Sequence, residues 1–262
     1  MNPEDLYRAL IDAIPPEIRV VEALAGPAHS MVMTEEGVGV VMALEPTGRK
    51  SILPAELTGL PLRDLASMVL SWNATDSTLG GAALNAYYNS PPMLRKNFGY
   101  DPQRTVSPEG SKSDPFARYT ELARGKHVAS VGHFPSVEQY LAPVAASLSI
   151  LDTHPWDNDY PPAAAEFILP QMDMVFISGS TLTNKTLPRL LELSRQAFVV
   201  LVGPSTCMAP VLFSYGVAVL SGTLYTDREG CLSLVQQGEH KKLVQHGQKV
   251  SFERSEYKLW TP

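Results

Sequence analysis

The stretch VVLVGPSTCMAP, residues 199–210, decides the fold of the second half of the chain. Aliphatic residues run directly into a Gly-Pro turn, which is followed by small hydroxyl and sulfur side chains, Ser205, Thr206 and Cys207. A short apolar run that ends at glycine is typical of a strand buried on both faces of a parallel sheet. Ligands bind beyond the carboxyl ends of such strands. The stretch therefore predicts a buried strand that ends at a ligand site.

The rest of the second half repeats this pattern. Strand-like and helix-like segments alternate in the order HVASVG, SVEQYLAPV, SLSILD, PPAAAEFIL, MVFISG, LPRLLELSRQ, FVVLVG, MAPVLFSYG and VAVLSG. This alternation predicts a parallel sheet covered by helices on both faces, a Rossmann-like α/β domain. Several of its strands are predicted to end in glycine, at Gly132, Gly179, Gly203 and Gly222.

The first half has a different pattern. PEDLYRALIDAI has the apolar spacing of an amphipathic helix, and IRVVEALAG, SMVMTEEG and VGVVMAL predict an antiparallel meander. LRDLASMVLSW and STLGGAALNAYYN predict two further helices, so this half is α+β. Residues 90–115 lack periodicity and are rich in Pro, Ser and Gly, which places the domain boundary within or close to them. We expect two separate cores with a crevice between them.

Composition and charge limit the partners. The 262 residues carry a formal net charge of -6 and contain no basic stripe, so we expect no nucleic-acid partner. The N-terminus is acidic and no apolar run approaches the roughly 20 residues of a membrane span, so we expect a soluble, cytoplasmic protein without a membrane partner. The two cysteines, Cys207 and Cys231, are expected to be reduced thiols.

Standard catalytic and nucleotide motifs are absent from the sequence. A dinucleotide site needs G-x-G-x-x-G after the first strand, whereas this turn reads GHFPSV, so we expect no binding in the usual dinucleotide mode. Asp152 stands where such folds place a ribose-binding acid, although a strand-ending Asp also forms turns. The sequence contains no GxxxxGK[ST], GxSxG, HExxH or CxxC, which leaves those enzyme and zinc classes unsupported.

Two side chains are candidate metal ligands. His133 and His154 fall at or just beyond predicted strand ends, whereas His240 and His246 belong to a polar tail segment. Histidine is the commonest metal ligand, and a thiolate such as that of Cys207 suits soft or borderline metals. A hydrogen-bonded histidine and a buried cysteine are the alternatives. If the crevice holds a metal, we expect His133 and Cys207 to converge on it.

Two other features leave a structural and a ligand-binding interpretation open. Gly80 and Gly81 interrupt a helical pattern at a cost of about 1 kcal/mol each, so either the other domain packs closely there or a ligand lies against the helix start, with Asn85 further along. The hydroxyl residues after Gly179 and Gly203 either cap the following helices or hold an anion or another polar ligand.

The segments TLGGAALNAYYN, GHFP, MVFISGSTLTNKTLPRLLEL and VVLVGPSTCMAPVLFSYGVAVLSG together resemble a bacterial and archaeal family named for heavy-metal chelation. The resemblance covers nearly the whole chain. It implies an enolase-N-terminal-like α+β domain, residues 1–110, that leans on a Rossmann-like α/β domain, residues 111–262, with a ligand cleft at their junction. Mapping the motifs implies that this cleft is lined by Thr78, Gly80, Asn85, Gly132, His133, Phe134, Ser178, Thr181, Asn184, Gly203, Pro204 and Ser205. Thr206 and Cys207 follow in the same turn and are candidates from their residue types, as a ligand-binding hydroxyl group and a metal ligand.

These observations support more than one function. The resemblance, with His133 and Cys207, favours a protein that binds a transition or heavy metal ion, or a small metal-carrying ligand, in the interdomain cleft. The glycine-ended strands and Asp152 favour an enzyme of unspecified reaction that binds a nucleotide-like or anionic cofactor. A scaffold without a ligand would not need so many polar turns. We therefore expect a small-molecule or metal partner, and homo-oligomer formation stays open.

Overall fold

The computed structural model describes residues 2–102, the first half, and residues 114–257, the second half. The strands in these residues are β1 (Glu22–Ala25), β2 (His29–Met33), β3 (Val38–Met42), β4 (His127–Val131), β5 (Ser147–Leu151), β6 (Met174–Ser178), β7 (Phe198–Val202), β8 (Val217–Leu224) and β9 (Gln248–Glu253). The strands β1-β2-β3 form an antiparallel sheet. The other sheet has the order β5-β4-β6-β7-β8-β9 and is parallel except for β9. The predicted meander and parallel sheet are therefore confirmed.

The helices cover both sheets. Their bounds in the described residues are α1 (Pro3–Asp12), α2 (Leu62–Ser67), α3 (Ala74–Tyr88), α4 (Pro91–Phe98), α5 (Pro115–Arg118), α6 (Thr120–Ala123), α7 (Val137–Leu141), α8 (Ala165–Ile168), α9 (Leu187–Leu193), α10 (Val211–Ser214), α11 (Arg228–Gln237) and α12 (His240–His246). Short 3-10 helices lie at Met68–Leu70, Pro162–Ala164, Leu169–Gln171, Gly179–Thr181 and Arg254–Glu256. Among the described helices, none has the length and apolar character that a membrane crossing requires.

The helix α3 is buried around almost its whole circumference. Its N-cap is Asn73, whose side chain accepts a hydrogen bond from the backbone N–H of Asp76. Small residues allow the antiparallel sheet to approach it closely, since a Cβ atom on Gly39 would collide with the carbonyl oxygen of Ala82. The other side of α3 faces the second half, so this helix connects the two sheets.

Apolar residues cover both faces of the six-stranded sheet. On one face, Val128 and Phe176 belong to a cluster with Phe116 of α5 and Leu141 of α7. The opposite face joins a larger cluster that also contains residues of α8, α9 and α10. Burial on both faces explains why the strands read as continuous apolar runs instead of alternating ones.

The two halves share one hydrophobic core. The larger cluster contains Leu6 and Leu79 of the first half together with Val175 and Leu201 of the second. The expectation of two separate cores is therefore wrong, although the two sheets are separate. The cause is that α1 and α3 bury their apolar residues in the same core as one face of the six-stranded sheet. The predicted boundary between residues 110 and 111 lies outside the described residues.

Three local expectations also need correction. The stretch predicted to lack periodicity contains α4, which begins at Pro91, ends at Phe98 and is capped by Gly99 in the left-handed conformation. Gly222 does not end a strand, because β8 continues through it and pairs with β9. A side chain there would meet the Met208 Cε atom at 2.5 Å, which accounts for the glycine. The segment interpreted as a polar tail forms α12.

Candidate functional site

Three of the predicted strand ends meet beneath one aromatic ring. Gly132 follows β4, Ser178 ends β6 and Gly203 follows β7. A Cβ atom on Gly132 would lie 3.1 Å from the Phe134 ring and 3.2 Å from Ser178 Cβ, and one on Gly203 would lie 3.4 Å from the same ring. Both glycines have positive φ angles, +109° and +100°, which glycine adopts without strain. Phe134 therefore covers the carboxyl edge of the sheet at these strands.

His133 lies at this edge and is held by two aspartates. Its Nδ1 atom is 2.8 Å from Asp159 Oδ2, and its backbone N–H donates to Asp152 Oδ2 at 2.8 Å. The Asp159 side chain is only 4% exposed. Because a buried carboxylate accepts hydrogen bonds, this contact places the ring proton on Nδ1 and leaves the Nε2 lone pair available. The Nε2 atom is 3.8 Å from Oε2 of the exposed Glu138.

The same aspartates order the loop that follows β5. Asp159 Oδ2 also accepts from the Trp156 backbone N–H at 3.1 Å, and Asp152 Oδ1 accepts from the His154 N–H at 2.8 Å. The Trp156 ring lies 5.5 Å from the His133 ring and its residue is 71% exposed. The structure thus presents an imidazole beside an exposed indole. Asp152 makes the turn-forming bonds that were one of its two predicted roles.

The contributions of Glu138, Trp156 and Asp159 were not predicted from the sequence. The run DTHPWDNDY after β5 is dense in acidic and aromatic residues, and this is the signal that could have indicated Trp156 and Asp159. Glu138 lies outside this run, in α7. Asp159 is 26 residues from His133 along the chain. The contact between Asp159 and His133 is evident only in the fold, where β4 and β5 are adjacent in the sheet.

Cys207 lies in a different environment from His133. It is 2% exposed, belongs to the larger core cluster and carries a thiol whose pKa is raised by burial. Cys231 is also buried, and burial raises the pKa of its thiol to about 12. A thiolate is the metal-binding form of cysteine, so these surroundings favour the buried-cysteine interpretation for both residues.

Several predicted ligand residues make contacts between the two halves. Asn85 Nδ2 donates to the carbonyl oxygens of Val40 and Ser205 at 3.1 and 3.2 Å. Ser205 Oγ accepts from the Met42 N–H at 2.9 Å. The Thr206 carbonyl accepts from the Asn89 side chain at 3.0 Å. The turn after β7 is therefore bound to the first half through its own polar groups.

The hydroxyl groups after β6 make local bonds. Ser178 Oγ lies 2.9 Å from Ser180 Oγ, and Thr181 Oγ1 donates to the Ser178 carbonyl at 2.6 Å. Asn184 Oδ1 accepts from both the N–H and the hydroxyl group of Thr186. Thr78 likewise donates within its own helix, to the Ala74 carbonyl at 3.0 Å. Pro204 is partly buried in the turn after β7.

Close packing explains the two glycines of α3. A Cβ atom on Gly80 would collide with the backbone of Val69, and one on Gly81 would collide with the Cγ2 methyl group of Thr183. Thr183 belongs to the second half. Packing against the other half is therefore confirmed for Gly81, whereas Gly80 packs against Val69 within the first half.

A separate cavity of about 320 Å³ lies in the first half. Its lining includes Glu17, Arg19, Glu35, Glu36 and Tyr87. None of these residues was predicted as a site residue. Within residues 2–102 and 114–257, no group of three or more His, Cys, Asp and Glu side chains has a metal-binding arrangement.

The fold and the strand-end site define a mixed α/β protein with a parallel-rich six-stranded sheet and a separate antiparallel sheet. The chain belongs to the DUF364 family, whose model carries the description "Putative heavy-metal chelation" and matches residues 114–253. A second family model, DUF4213, has the same description and matches residues 7–88. The resemblance stated from the sequence is confirmed.

Solved structures have the same fold. A DUF364 protein of unknown function from Desulfitobacterium hafniense is 39% identical, with a TM-score of 0.83 over 96% of this chain and 98% of that one. Another, from Pyrococcus horikoshii, is 20% identical, with a TM-score of 0.77 over 97% and 100%. An uncharacterized protein of Methanocaldococcus jannaschii is 28% identical over 177 residues, which span 65% of this chain and 63% of that protein.

Proposed function

We propose that this protein handles a metal ion together with a small ligand, and that His133 supplies the protein's imidazole donor. The description of the family supports heavy-metal chelation as the general function. The observation that carries the proposal is the hydrogen bond between His133 Nδ1 and the buried Asp159 carboxylate. Histidines that bind metals commonly donate their other ring N–H to a carboxylate, which orients the ring and raises its basicity.

Glu138 is the second proposed donor. Two ligands bound to a tetrahedral ion at about 2.1 Å are separated by about 3.4 Å, close to the distance between His133 Nε2 and Glu138 Oε2, which is 3.8 Å. A small movement of the exposed Glu138 side chain is enough to reach that separation. The remaining coordination positions are left for donor atoms of the small ligand, as at metal sites that exchange their ligands. Cys207 is left out because its thiol is buried.

The strand order supports a Rossmann-like description of the second half. From β4 the chain proceeds to β5 on one side and returns to β6 on the other. In doubly wound sheets, a crevice opens beyond the carboxyl ends of the strands where the order reverses in this way. His133 and Phe134 follow β4, which is one of the two strands at this reversal. The enolase-N-terminal-like description of the first half rests on the resemblance alone.

The position of Phe134 favours metal handling over the nucleotide-binding alternative. Its ring occupies the space over Gly132 and Gly203, where a pyrophosphate would otherwise approach the backbone. The Asp152 carboxylate, the proposed ribose acceptor, already accepts two backbone N–H groups. These two observations favour metal handling over the binding of a nucleotide-like cofactor.

Metal titration of matched variants tests the proposal. The full chain is titrated with Zn²⁺, Cu²⁺ and Ni²⁺ by calorimetry, and bound metal is counted by mass spectrometry after desalting. His133→Ala should abolish the tight site, and Asp159→Asn should weaken it by roughly 10- to 100-fold because the ring loses its orienting carboxylate. His127→Ala is the control, since His127 lies at the opposite end of β4 and bonds to Ser147. Unchanged affinity in a folded His133→Ala variant would contradict the proposal.

A further inference from the structure

Lys185 lies on the loop after β6, where this loop meets the start of α3. Its Nζ atom donates to Ser77 Oγ at 2.8 Å and to the Thr183 carbonyl at 3.1 Å. Both acceptors are uncharged oxygens. Burial of the ammonium group lowers the pKa of Lys185 to about 8.

The backbone of Lys185 adopts a conformation that a lysine rarely uses. Its φ angle is +69°, in the left-handed region that glycine and asparagine occupy more easily. Residues held in such conformations are concentrated at functional sites. A glycine would relieve the strain here, but it would remove the amine that bonds to Ser77. The strained backbone therefore directs attention to the lysine amine.

An exposed aromatic ring lies over the amine. The Lys185 Nζ atom is 5.2 Å from the centroid of the Trp72 ring, and Trp72 is 64% exposed. An indole face in this position stabilises the cation and also offers a flat apolar surface to a planar molecule. Lys185 itself is partly exposed, so a small molecule can approach the amine beside the indole.

We propose that Lys185 is a reactive amine that forms an imine with a small planar aldehyde lying against Trp72. The neutral Nζ atom adds to the carbonyl carbon, and the resulting carbinolamine loses its hydroxyl group as water, so that a C=N bond replaces the C=O bond. The step needs no oxidant or reductant. The Ser77 hydroxyl group is positioned to exchange a proton with Nζ during the addition. This assignment does not depend on a metal at His133.

Competitive labelling of the wild-type protein tests the proposal. The full chain is treated with substoichiometric pyridoxal and sodium cyanoborohydride at pH 7, and the modified peptides are quantified by mass spectrometry. At this pH an amine with a pKa of about 8 has about 300-fold more neutral form than a lysine of ordinary pKa. Allowing for its lower nucleophilicity, we expect Lys185 to react at least tenfold faster than the internal references Lys96 and Lys126. Labelling of Lys185 no faster than these lysines would overturn the proposal.

A variant of the exposed ring tests the class of ligand. Trp72→Leu should slow the labelling of Lys185 by pyridoxal at least fivefold and leave labelling by propanal, which has no ring to stack, nearly unchanged. An equal change with both aldehydes would overturn the planar-ligand part of the proposal. Circular dichroism of the variant checks that it is folded, and the reference lysines in the same sample correct for reagent loss.

Discussion

His29 illustrates how burial changes one ionisable residue. It is 1% exposed, its Nε2 atom is 3.3 Å from His240 Nδ1, and the two rings stack 5.0 Å apart. Burial, and then the charge of the neighbouring His240, lowers the pKa of His29 to about 4 from its ordinary value of 6.5. The contact joins β2 of the first half to α12 of the second, so protonation of His29 opposes the association of these elements.

Acidification should therefore weaken the folded state through His29. The unfolded chain takes up this proton near pH 6.5 and the folded chain only near pH 4, so the stabilisation is complete above pH 6.5 and is lost as the pH falls toward 4. The shift corresponds to about 3 kcal/mol of the free energy of unfolding. Urea unfolding at pH 7, 6 and 5 should show a shallower pH dependence for His29→Gln than for the wild type. The exposed His127→Gln is the control, and parallel curves for all three proteins would contradict the prediction.

At the scale of secondary-structure elements, α3 carries the contact between the two sheets. Its glycines allow neighbouring backbone and side chains to approach to van der Waals distance, as at Gly81 and Thr183. Close-packed interiors resist even one added methyl group. The strength of this contact can therefore be measured by adding a methyl group on one side and removing one on the other.

Gly81→Ala should destabilise the protein despite the better helix propensity of alanine. Overpacking costs about 1–3 kcal/mol, whereas the propensity gain is at most about 1 kcal/mol. Thr183→Ser removes the colliding methyl group but keeps the hydroxyl group that donates to Ser180, so the double variant should recover most of the loss. Denaturant unfolding of the single and double variants measures the coupling free energy.

Gly80→Ala is the matched control for this pair. Its new methyl group would meet the backbone of Val69, which Thr183→Ser cannot relieve. In the Gly80→Ala, Thr183→Ser double variant, the effects of the two substitutions on the free energy of unfolding should therefore add. Additivity in the Gly81 pair as well would show that α3 adjusts its position to relieve the collision.

At the scale of the whole molecule, the shared core couples the two halves. The larger cluster spans α1, α3 and one face of the six-stranded sheet. Asn89 strengthens the same junction, since its Nδ2 atom donates to the Thr206 carbonyl at 3.0 Å and its Oδ1 atom accepts from the Met208 N–H at 2.9 Å. Neither half can separate from the other without exposing apolar surface and unpaired backbone groups.

The two halves should therefore unfold in one transition. Fluorescence of single-tryptophan variants follows each half separately. The Trp156→Phe, Trp260→Phe variant keeps Trp72 and reports on the first half, and the Trp72→Phe, Trp260→Phe variant keeps Trp156 and reports on the second. Their urea midpoints should coincide. Asn89→Ala should lower both midpoints together and reduce the free energy of unfolding by about 2–4 kcal/mol, because it leaves two buried backbone groups without a partner. Separate midpoints would show that the shared core does not couple the halves.

The sequence by itself determined the strands β1 to β8 and the two types of sheet, although it missed α4 and α12. The meander over β1, β2 and β3 and the continuous apolar runs of β4, β6 and β7 depend on local periodicity, which is visible along the chain. The glycines after β4 and β7 were also predicted correctly as strand ends, because a positive φ angle is a local property that favours glycine.

Tertiary structure alone decided what the polar side chains do. Asn85 and Ser205 have the residue types of a ligand site, but they hydrogen-bond to each other's half across 120 residues of sequence. Cys207 follows a strand-end turn, yet it is buried in the core cluster that the two halves share. His133 is oriented by Asp159 only because β4 and β5 are neighbours in the sheet. A hydrogen bond depends on distance in space, and distant segments supply the partner, so residue type and spacing along the chain could not distinguish a packing role from a binding role.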